Sequence, residues 1–210
     1  MSLQVRPCGE VFGNAGYGLS RDTSWAASGV GGVAAGLSGE LRTAELLNRL
    51  CLRPGGPSVI HDLRIPLKGI RANIDHAVVA GDRLLLIDSK VWRPGVYWTV
   101  CGQSRRGLER FRPAEKKTMR MAFQAIDGML RGERVRAELL VPVLVVWPSN
   151  DRAAFRPVHF QVPGARVIGG AGLERLVRRM ARTANGQQAN PAMMDRLLKL
   201  ANGAQPTGRY

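Results

Sequence analysis

Two acidic residues and a lysine interrupt a stretch of the chain that is otherwise strongly apolar. Val, Ile and Leu dominate residues 74–80 and 84–87, and the Gly81-Asp82 pair between them is typical of a two-residue β-hairpin loop. Such a loop would place two carboxylates opposite each other across the hairpin, because it fixes which residues of the two strands are paired. Since side chains alternate between faces, we expect one face to carry Asn73, Asp75, Asp88 and Lys90.

Carboxylates opposed in this way repel each other unless a cation lies between them. The side chains of Asp75 and Asp88 would stand about 5 Å apart, which destabilises a sheet and raises one pKa. A hard divalent cation such as Mg²⁺ takes oxygen ligands from one or two carboxylates, water and substrate phosphate. The Lys90 ammonium would add a positive centre that orients water or stabilises charge on a phosphorane-like transition state. The alternative is an exposed hairpin with an ordinary Asp–Lys surface pair.

The order and spacing of these residues resemble a known signature. Asp75, followed by Asp88-Ser89-Lys90, is similar to the PD-(D/E)XK pattern that many restriction endonucleases and Holliday-junction resolvases share. The flanking residues narrow the resemblance to the nuclease-related domain, or NERD, family, over residues 36–147. They are Gly39-Glu40 with Thr43 on a predicted helix, Ile74-Asp75-His76 on a strand, and Ile87-Asp88-Ser89-Lys90-Val91-Trp92 with Gly95. Ile74 replaces the proline of the superfamily name, and Asp88 replaces the more frequent Glu.

The resemblance implies a site and a reaction. The implied catalytic residues are Glu40, Asp75, Asp88 and Lys90. Mg²⁺ or Mn²⁺ is the implied cofactor, held by Glu40, Asp75, Asp88 and the backbone carbonyl of Ser89. We therefore expect a metal-dependent nuclease that hydrolyses phosphodiester bonds in DNA. The alternative is a catalytically inactive nucleic-acid-binding accessory module in which the acidic site is vestigial.

Glu40 also has a reading that is independent of the resemblance. Ser38 is a suitable N-cap, and apolar residues recur at helical spacing behind it, so the sequence predicts a helix over about residues 38–51. Glu40 lies beside the apolar stripe of this helix, so its carboxylate could face the sheet. It would equally lie in the first turn, where a carboxylate stabilises the helix macrodipole.

The charge of the chain predicts a polyanionic partner. The 210 residues include 31 Lys and Arg against 16 Asp and Glu, a formal net charge of +15, and basic and aromatic residues are interleaved between residues 90 and 120. Basic side chains neutralise phosphates and aromatic rings stack on bases, so we expect nucleic acid, with DNA favoured. The candidate contacts are Trp92, Arg93, Arg105, Arg106, Arg110, Arg112, Lys116, Lys117, Arg120 and Gln124. Alternatively, Trp92, Tyr97 and Trp98 belong to a strand packed on the core.

Other function classes are disfavoured. No apolar run is long enough to cross a bilayer, and no basic segment combines with a long apolar face, so we expect no membrane contact. Cys8, Cys51 and Cys101 lack paired spacing, which argues against a disulfide framework or zinc site. With no secretory signal, these features predict a cytoplasmic protein, and the excess of Arg over Lys is typical of a GC-rich bacterial or phage-like source. A homodimer is compatible with cutting both strands.

The elements predict an α/β fold with a mixed β-sheet flanked by helices and extra C-terminal helices, and the resemblance implies that this fold is restriction-endonuclease-like. We expect a loose Gly/Ser/Ala-rich arm over residues 1–36, a nuclease-like core over 37–170, and basic helices with a tail over 171–210. Within the core we expect strands at 58–66, 95–101 and 139–146 beside the hairpin, and a helix from Pro113 to Leu130. The strand at 58–66 would direct Val59, His61, Leu63 and Ile65 to one side, and the last helix would cover 191–201.

Overall fold

The structure, a computed structural model, describes residues 7–16, 30–67, 69, 72–115, 117–150 and 154–202, without the side chains of residues 30–35 and 115. The helices of this part of the chain are α1 (Val30–Cys51), α2 (Thr118–Gly132), α3 (Gly170–Thr183) and α4 (Pro191–Leu198), with a 3₁₀ turn at Arg112–Glu115. The strands are β1 (Val11–Phe12), β2 (Ser58–Arg64), β3 (Asn73–Ala80), β4 (Arg83–Trp92), β5 (Gly95–Val100), β6 (Gln103–Arg106), β7 (Glu109–Arg110), β8 (Glu138–Leu139), β9 (Val143–Pro148), β10 (Phe155–Val158) and β11 (Arg166–Gly169).

A mixed seven-stranded sheet, the large sheet, forms the centre of the fold in the order β1-β2-β3-β4-β9-β11, with β8 paired to β4. The β2-β3-β4 meander is antiparallel, and β9 and β11 add parallel strands beyond β4. This arrangement, with helices on both faces, confirms the predicted restriction-endonuclease-like α/β class. The hairpin also has the predicted register, since Ala80 pairs with Arg83 and His76 pairs with Ile87.

Each face of the large sheet is covered by two helices. One face, which we call the α1 face, packs against Leu47 and Leu50 of α1 and against Leu173 and Val177 of α3. The opposite α2 face packs against α2 through Met119, Ala122, Ile126 and Leu130, and against α4 through Met193, Met194 and Leu197. Both faces are apolar because successive residues of a strand point to opposite sides. In β4, Leu84 and Leu86 belong to the cluster of the α2 face, and Leu85 and Ile87 belong to that of the α1 face.

The strand at Gly95–Val100 does not continue the large sheet as predicted. It lies in a separate four-stranded sheet, the small sheet, in the order β10-β5-β6-β7. An aromatic cluster fills the space between the two sheets: Trp92, Tyr97, Phe111, Phe155 and Phe160. The chain leaves the large sheet after Trp92, because both neighbours of β4 are already taken by β3 and β9.

Several element boundaries differ from the sequence predictions. Helix α1 begins at Val30 instead of Ser38, so it crosses the predicted boundary of the N-terminal arm. Pro113 lies in a 3₁₀ turn that begins at Arg112, and α2 starts only at Thr118. The predicted strand at 139–146 is split into β8 and β9, since Pro142 has no N–H to donate to a ladder. Residues 1–6 and 17–29 of the predicted arm, and residues 203–210 of the predicted tail, lie outside the described residues.

The alternation predicted for β2 reverses at Asp62. Val59 packs in the cluster of the α1 face, whereas Leu63 and Ile65 pack in the cluster of the α2 face. Asp62 adopts a left-handed backbone with φ of 53°, and the ladder between β2 and β3 pairs His61 with His76 and Leu63 with Ile74 but skips Asp62. This twist turns the later residues of the strand to the other side of the sheet.

Candidate active site

The functional groups of Asp88 and Lys90 meet at the end of β4. Both residues follow the parity of Leu84 and Leu86, so they project from the α2 face, and the Lys90 Nζ lies 2.6 Å from Asp88 Oδ2. The ammonium also donates to the backbone carbonyl of Ser89 at 3.1 Å. The Asp88 side chain is 15% exposed and that of Lys90 is 42% exposed, so the pair opens to solvent on the lysine side. The predicted convergence of this acid and this lysine is observed.

Asp75 joins the same group from the neighbouring strand. Its Oδ2 accepts a hydrogen bond of 2.6 Å from the backbone N–H of Ser89, one residue beyond Asp88. This side-chain bond lies beyond His76–Ile87, the last paired position on this side of the hairpin. Asn73, which was also expected on this face, donates its amide to Asp62 Oδ1 at 2.7 Å. Asp75 is therefore tied to the backbone between Asp88 and Lys90.

Glu40 reaches the site from α1. Its side chain is buried, at 5% exposure, and its Oε1 accepts a hydrogen bond from the backbone N–H of Gly16. Because α1 begins at Val30, Glu40 lies in the middle of the helix, and the macrodipole reading loses its basis. Burial raises the pKa of Glu40, and the neighbouring charges of Asp62 and Asp88 raise it further against the lowering effect of the Gly16 N–H and Lys90. Glu40 thus belongs electrostatically to the acidic group.

Asp62 is a member of this group that the sequence analysis missed. It is 3% exposed and lies in β2 at the one position that the ladder skips between the His61–His76 and Leu63–Ile74 pairs. Its charge acts on Glu40, and its carboxylate accepts from Asn73. The available signal was a lone acid inside an apolar strand, at a residue type that tolerates the left-handed conformation.

Thr43 holds the helix against the site strand. Its hydroxyl donates to the Gly39 carbonyl at 2.9 Å and accepts from Ser89 Oγ and from Trp147 Nε1, each at 2.8 Å. A Cβ added at Gly39 would come within 2.7 Å of the Val91 side chain, which shows how closely α1 approaches β4. The glycine and the threonine together fix the depth at which Glu40 enters the site.

The charges in the site are strongly interdependent. Burial raises the pKa of Asp75 well above its usual value, and Asp88 and Glu40 raise it further, against the lowering effect of Lys90 and the Ser89 N–H. Burial alone would lower the pKa of Lys90, but the carboxylates of Asp88 and Asp75 outweigh this effect and raise it. The carboxylates of the site therefore favour a positive charge beside them, and the Lys90 ammonium provides one.

The donor set suits a hard cation in chemistry but is not arranged as a finished metal cage. Among the described residues, no group of three or more His, Cys, Asp and Glu side chains stands in a metal-binding arrangement. Asp88 Oδ2 and the Ser89 carbonyl, two of the expected ligands, hold the Lys90 ammonium instead. Carboxylate and carbonyl oxygens are nevertheless the ligands that Mg²⁺ and Mn²⁺ prefer. The residues that could hold a metal are Asp75, Asp88 and Glu40 with the Ser89 carbonyl.

Two buried histidines support the strands behind the acids. His61 Nδ1 lies 2.8 Å from His76 Nδ1, and His61 Nε2 lies 2.9 Å from Asn48 Oδ1 on α1. Burial lowers the pKa of His61 to about 4, and burial with the nearby His61 lowers that of His76. Both rings are therefore neutral at pH 7, and one donates to the other.

The residues predicted to contact nucleic acid do not form a single surface. Trp92 is 7% exposed and packs inside the aromatic cluster, so the structure contradicts its predicted role: neither ring face is open to a base. Arg106 pairs with Glu109 at 3.0 Å. Lys116 lies outside the described residues. Arg105 is partly buried, and the exposed candidates are Arg93, Arg110, Arg112, Lys117, Arg120 and Gln124.

Comparison with known proteins agrees with this geometry. Residues 35–146, more than half of the chain, match the family model described as "Nuclease-related domain". No curated protein and no solved structure matches the chain. Within the described residues, no helix is both long and apolar enough to cross a membrane. With the acids and the lysine of the resemblance at one end of the hairpin, and the family match extending over the strands that carry them, the chain belongs to the nuclease-related domain (NERD) family.

Proposed function

We propose that this protein is a metal-dependent nuclease that hydrolyses phosphodiester bonds in DNA, with its active site at Asp75, Asp88, Glu40 and Lys90. One observation carries the proposal. The Lys90 ammonium lies 2.6 Å from Asp88 Oδ2, and the Asp75 carboxylate accepts from the backbone N–H of Ser89 between them. Two carboxylates and one ammonium group therefore meet at residues 88–90 of β4. The net charge of +15 supports a polyanionic substrate.

In this mechanism the acids hold a divalent cation and Lys90 acts on the reacting groups. When bound, the cation would supply positive charge beside the scissile phosphate and would acidify water. Asp75 and Asp88 provide the negative charge that retains it, with Glu40 and the Ser89 carbonyl as further ligands. Lys90, at 42% side-chain exposure, can leave Asp88 and reach solvent, where its ammonium orients water or pairs with a phosphate oxygen.

The chemical step is hydrolysis. A water oxygen bonds to phosphorus, the P–O bond to the departing sugar breaks, and a proton from water is transferred to the released sugar oxygen. The ammonium of Lys90 stabilises the charge that develops on the phosphoryl oxygens between these events. Water is the co-substrate, and no redox partner is needed.

A second function is supported by a specific observation. Each acid already has a partner within the protein: Lys90 for Asp88, the Ser89 N–H for Asp75 and the Gly16 N–H for Glu40. A site satisfied in this way could be vestigial, and the protein would then bind nucleic acid without cutting it. This alternative predicts salt-sensitive DNA binding that survives Asp88→Ala.

A cleavage assay separates the two functions. Supercoiled, linear and single-stranded DNA are incubated with the full chain in Mg²⁺, Mn²⁺ or EDTA, beside Asp88→Ala and Lys90→Ala. We expect metal-dependent cleavage that falls by at least about a hundredfold in each variant, as for the loss of a transition-state contact. The matched controls are Asp195→Ala and Lys199→Ala, since this exposed Asp–Lys pair at 3.0 Å lies on α4. Absence of cleavage, or equal cleavage by all four variants, would defeat the proposal.

A further inference from the structure

The outer face of the small sheet carries apolar side chains that are open to solvent. Val96, Val100 and Val158 are 45%, 46% and 49% exposed, and Leu108 at the β6–β7 turn is 88% exposed. These are four of the nine exposed large hydrophobic side chains among the described residues. The opposite face of the same sheet is closed by the aromatic cluster, where Tyr97 is fully buried. One face of the small sheet is therefore buried, and the other, which we call the open face, is exposed to solvent.

Strand pairing places arginines beside these apolar groups. Trp98 pairs with Val158 on one side and with Arg105 on the other, and Arg105 pairs with Arg110, so one row crosses all four strands. Arg156 pairs with Val96 in the next row. Because paired residues share a face, the open face combines an indole, three valines and three arginines. The open face is defined here by Val96, Trp98, Val100, Arg105, Arg110, Arg156 and Val158.

Trp98 and Arg105 are held in place by the β6–β7 turn. Trp98 Nε1 donates to the Gly107 carbonyl at 2.7 Å, and Arg105 Nη1 donates to the Leu108 carbonyl at 2.8 Å. The guanidinium carbon of Arg105 lies 5.7 Å from the centre of the indole ring, a cation–π arrangement. Arg105 makes no ion pair with a carboxylate of the described residues. A fixed ring with an adjacent unneutralised cation is thus presented on the open face.

The charge of the open face selects its partner. None of its residues is Asp or Glu, and the nearest acid along the chain, Glu109, pairs with Arg106 in a row of the other face. A second copy of this chain, at +15, would be repelled. Single-stranded nucleic acid supplies the negative charge that this face lacks. Its phosphates pair with arginines, and its bases stack on an aromatic ring.

We propose that the open face binds single-stranded nucleic acid, with Trp98 as the stacking platform and Arg105 and Arg156 facing the phosphates. The polymer is identified with the help of the proposed function, but binding needs none of the acidic site residues. Only two residues, Arg93 and Pro94, separate β4, which carries Lys90 and ends at Trp92, from β5, which carries Val96 and Trp98. Because so short a segment joins the two strands, we infer that the substrate is single-stranded or locally unwound DNA.

Fluorescence anisotropy of a labelled oligothymidylate in EDTA tests this inference on the full chain. We expect Trp98→Ala to weaken binding about tenfold, and Trp98→Phe to retain most of the affinity, because a phenyl ring still stacks. Arg105→Ala should weaken binding and reduce the slope of log K against log salt by about 0.7, the value for one phosphate contact on a single strand. Arg182→Ala on α3 removes the same charge elsewhere and should leave the affinity within about twofold.

The outcomes are distinguishable from those of the cleavage assay. If the oligonucleotide binds through Trp98 but no DNA is cut, the hydrolysis proposal fails and this inference stands. If DNA is cut while Trp98→Ala and Arg105→Ala bind like the parent chain, this inference is overturned and hydrolysis stands. Loss of self-association in Trp98→Ala, with no oligonucleotide bound by the parent chain, would identify the face as a protein interface and overturn the inference. Near-UV circular dichroism of each variant verifies that the aromatic cluster is intact.

Discussion

At the scale of single residues, Asp75 shows a conflict between stability and the proposed activity. Its carboxylate is placed beside Asp88 and near Glu40, and its pKa is raised by burial and by these charges. A raised pKa in an acid means that ionisation costs more in the folded chain than in the unfolded chain. The ionised form of Asp75 therefore weakens the fold unless a cation lies beside it. A loss of folding stability of this kind is typical of functional sites.

Replacing Asp75 by asparagine should expose this conflict. Asp75→Asn removes the buried charge but keeps an oxygen that can accept from the Ser89 N–H, so we expect the metal-free protein to gain roughly 1 kcal/mol in free energy of unfolding. The same change should abolish the rise in melting temperature on adding Mn²⁺, since that rise follows metal binding by mass action. Urea unfolding and a thermal scan with and without Mn²⁺ measure both. A less stable metal-free variant, or an unchanged Mn²⁺ response, would contradict this account.

At the scale of elements, the histidine pair joins β2, β3 and α1 in a pH-dependent way. His61 and His76 are paired positions of the two strands, and Asn48 extends the contact to the helix. The pKa of His61 is about 4 in the folded chain against 6.5 for an unperturbed histidine. The unfolded chain therefore binds more protons as the pH falls below 6.5, and stability is lost between this pH and about 4.

We expect the free energy of unfolding to fall by about 2 kcal/mol between pH 7.5 and pH 5 on account of His61. Asp75 and Glu40 act in the opposite direction, because acids with a raised pKa take up protons in the folded state. Comparing the pH profile of the parent chain with that of His61→Gln cancels these shared contributions. His159→Asn, at an exposed histidine, is the matched control and should follow the parent. Parallel profiles for the parent and His61→Gln would refute the assignment.

At the scale of the whole molecule, the segment that matches the family is not a complete folding unit. The match ends at residue 146, yet α3 and α4 supply buried residues to the clusters on the two faces of the large sheet. Strand β11 also pairs with β9, and β10 completes the small sheet. The predicted division between residues 170 and 171 therefore cuts through one core, since a sheet buried on both faces needs helices on both.

Deletion of residues 149–210 should accordingly prevent a native fold. Leu173, Val177 and Met180 on one face, and Met193 and Leu197 on the other, are nearly fully buried, and each such side chain contributes about 1.5–3 kcal/mol by burial. We expect the truncated chain to lose its near-UV circular dichroism and to bind a hydrophobic dye. The full chain, measured under the same conditions, is the control and should keep its near-UV signal without binding the dye. A truncated chain with native near-UV signal would show that the matched segment folds alone.

The sequence by itself determined the features that depend on short-range geometry. A two-residue loop fixes the register of its hairpin, so Gly81-Asp82 was enough to predict the pairing of β3 and β4. Alternation with period two was enough to place Asp88 and Lys90 on one face, where they are in contact. The fold class followed from the order of the elements, because strands and amphipathic helices leave few ways to bury their apolar faces.

Tertiary structure decided what depends on contacts between distant segments. Trp92 became a core residue, and Trp98 a partly exposed residue, only because β5 starts a second sheet, which its own sequence does not specify. Asp62 joined the acids because a local twist of β2 meets β3 at Asp75, and Glu40 joined them because α1 packs closely on β4 at Gly39. Periodicity acts over a few residues and specifies which side chains share a face. Which faces are then covered, and by what, is set by the packing free energy of the whole chain.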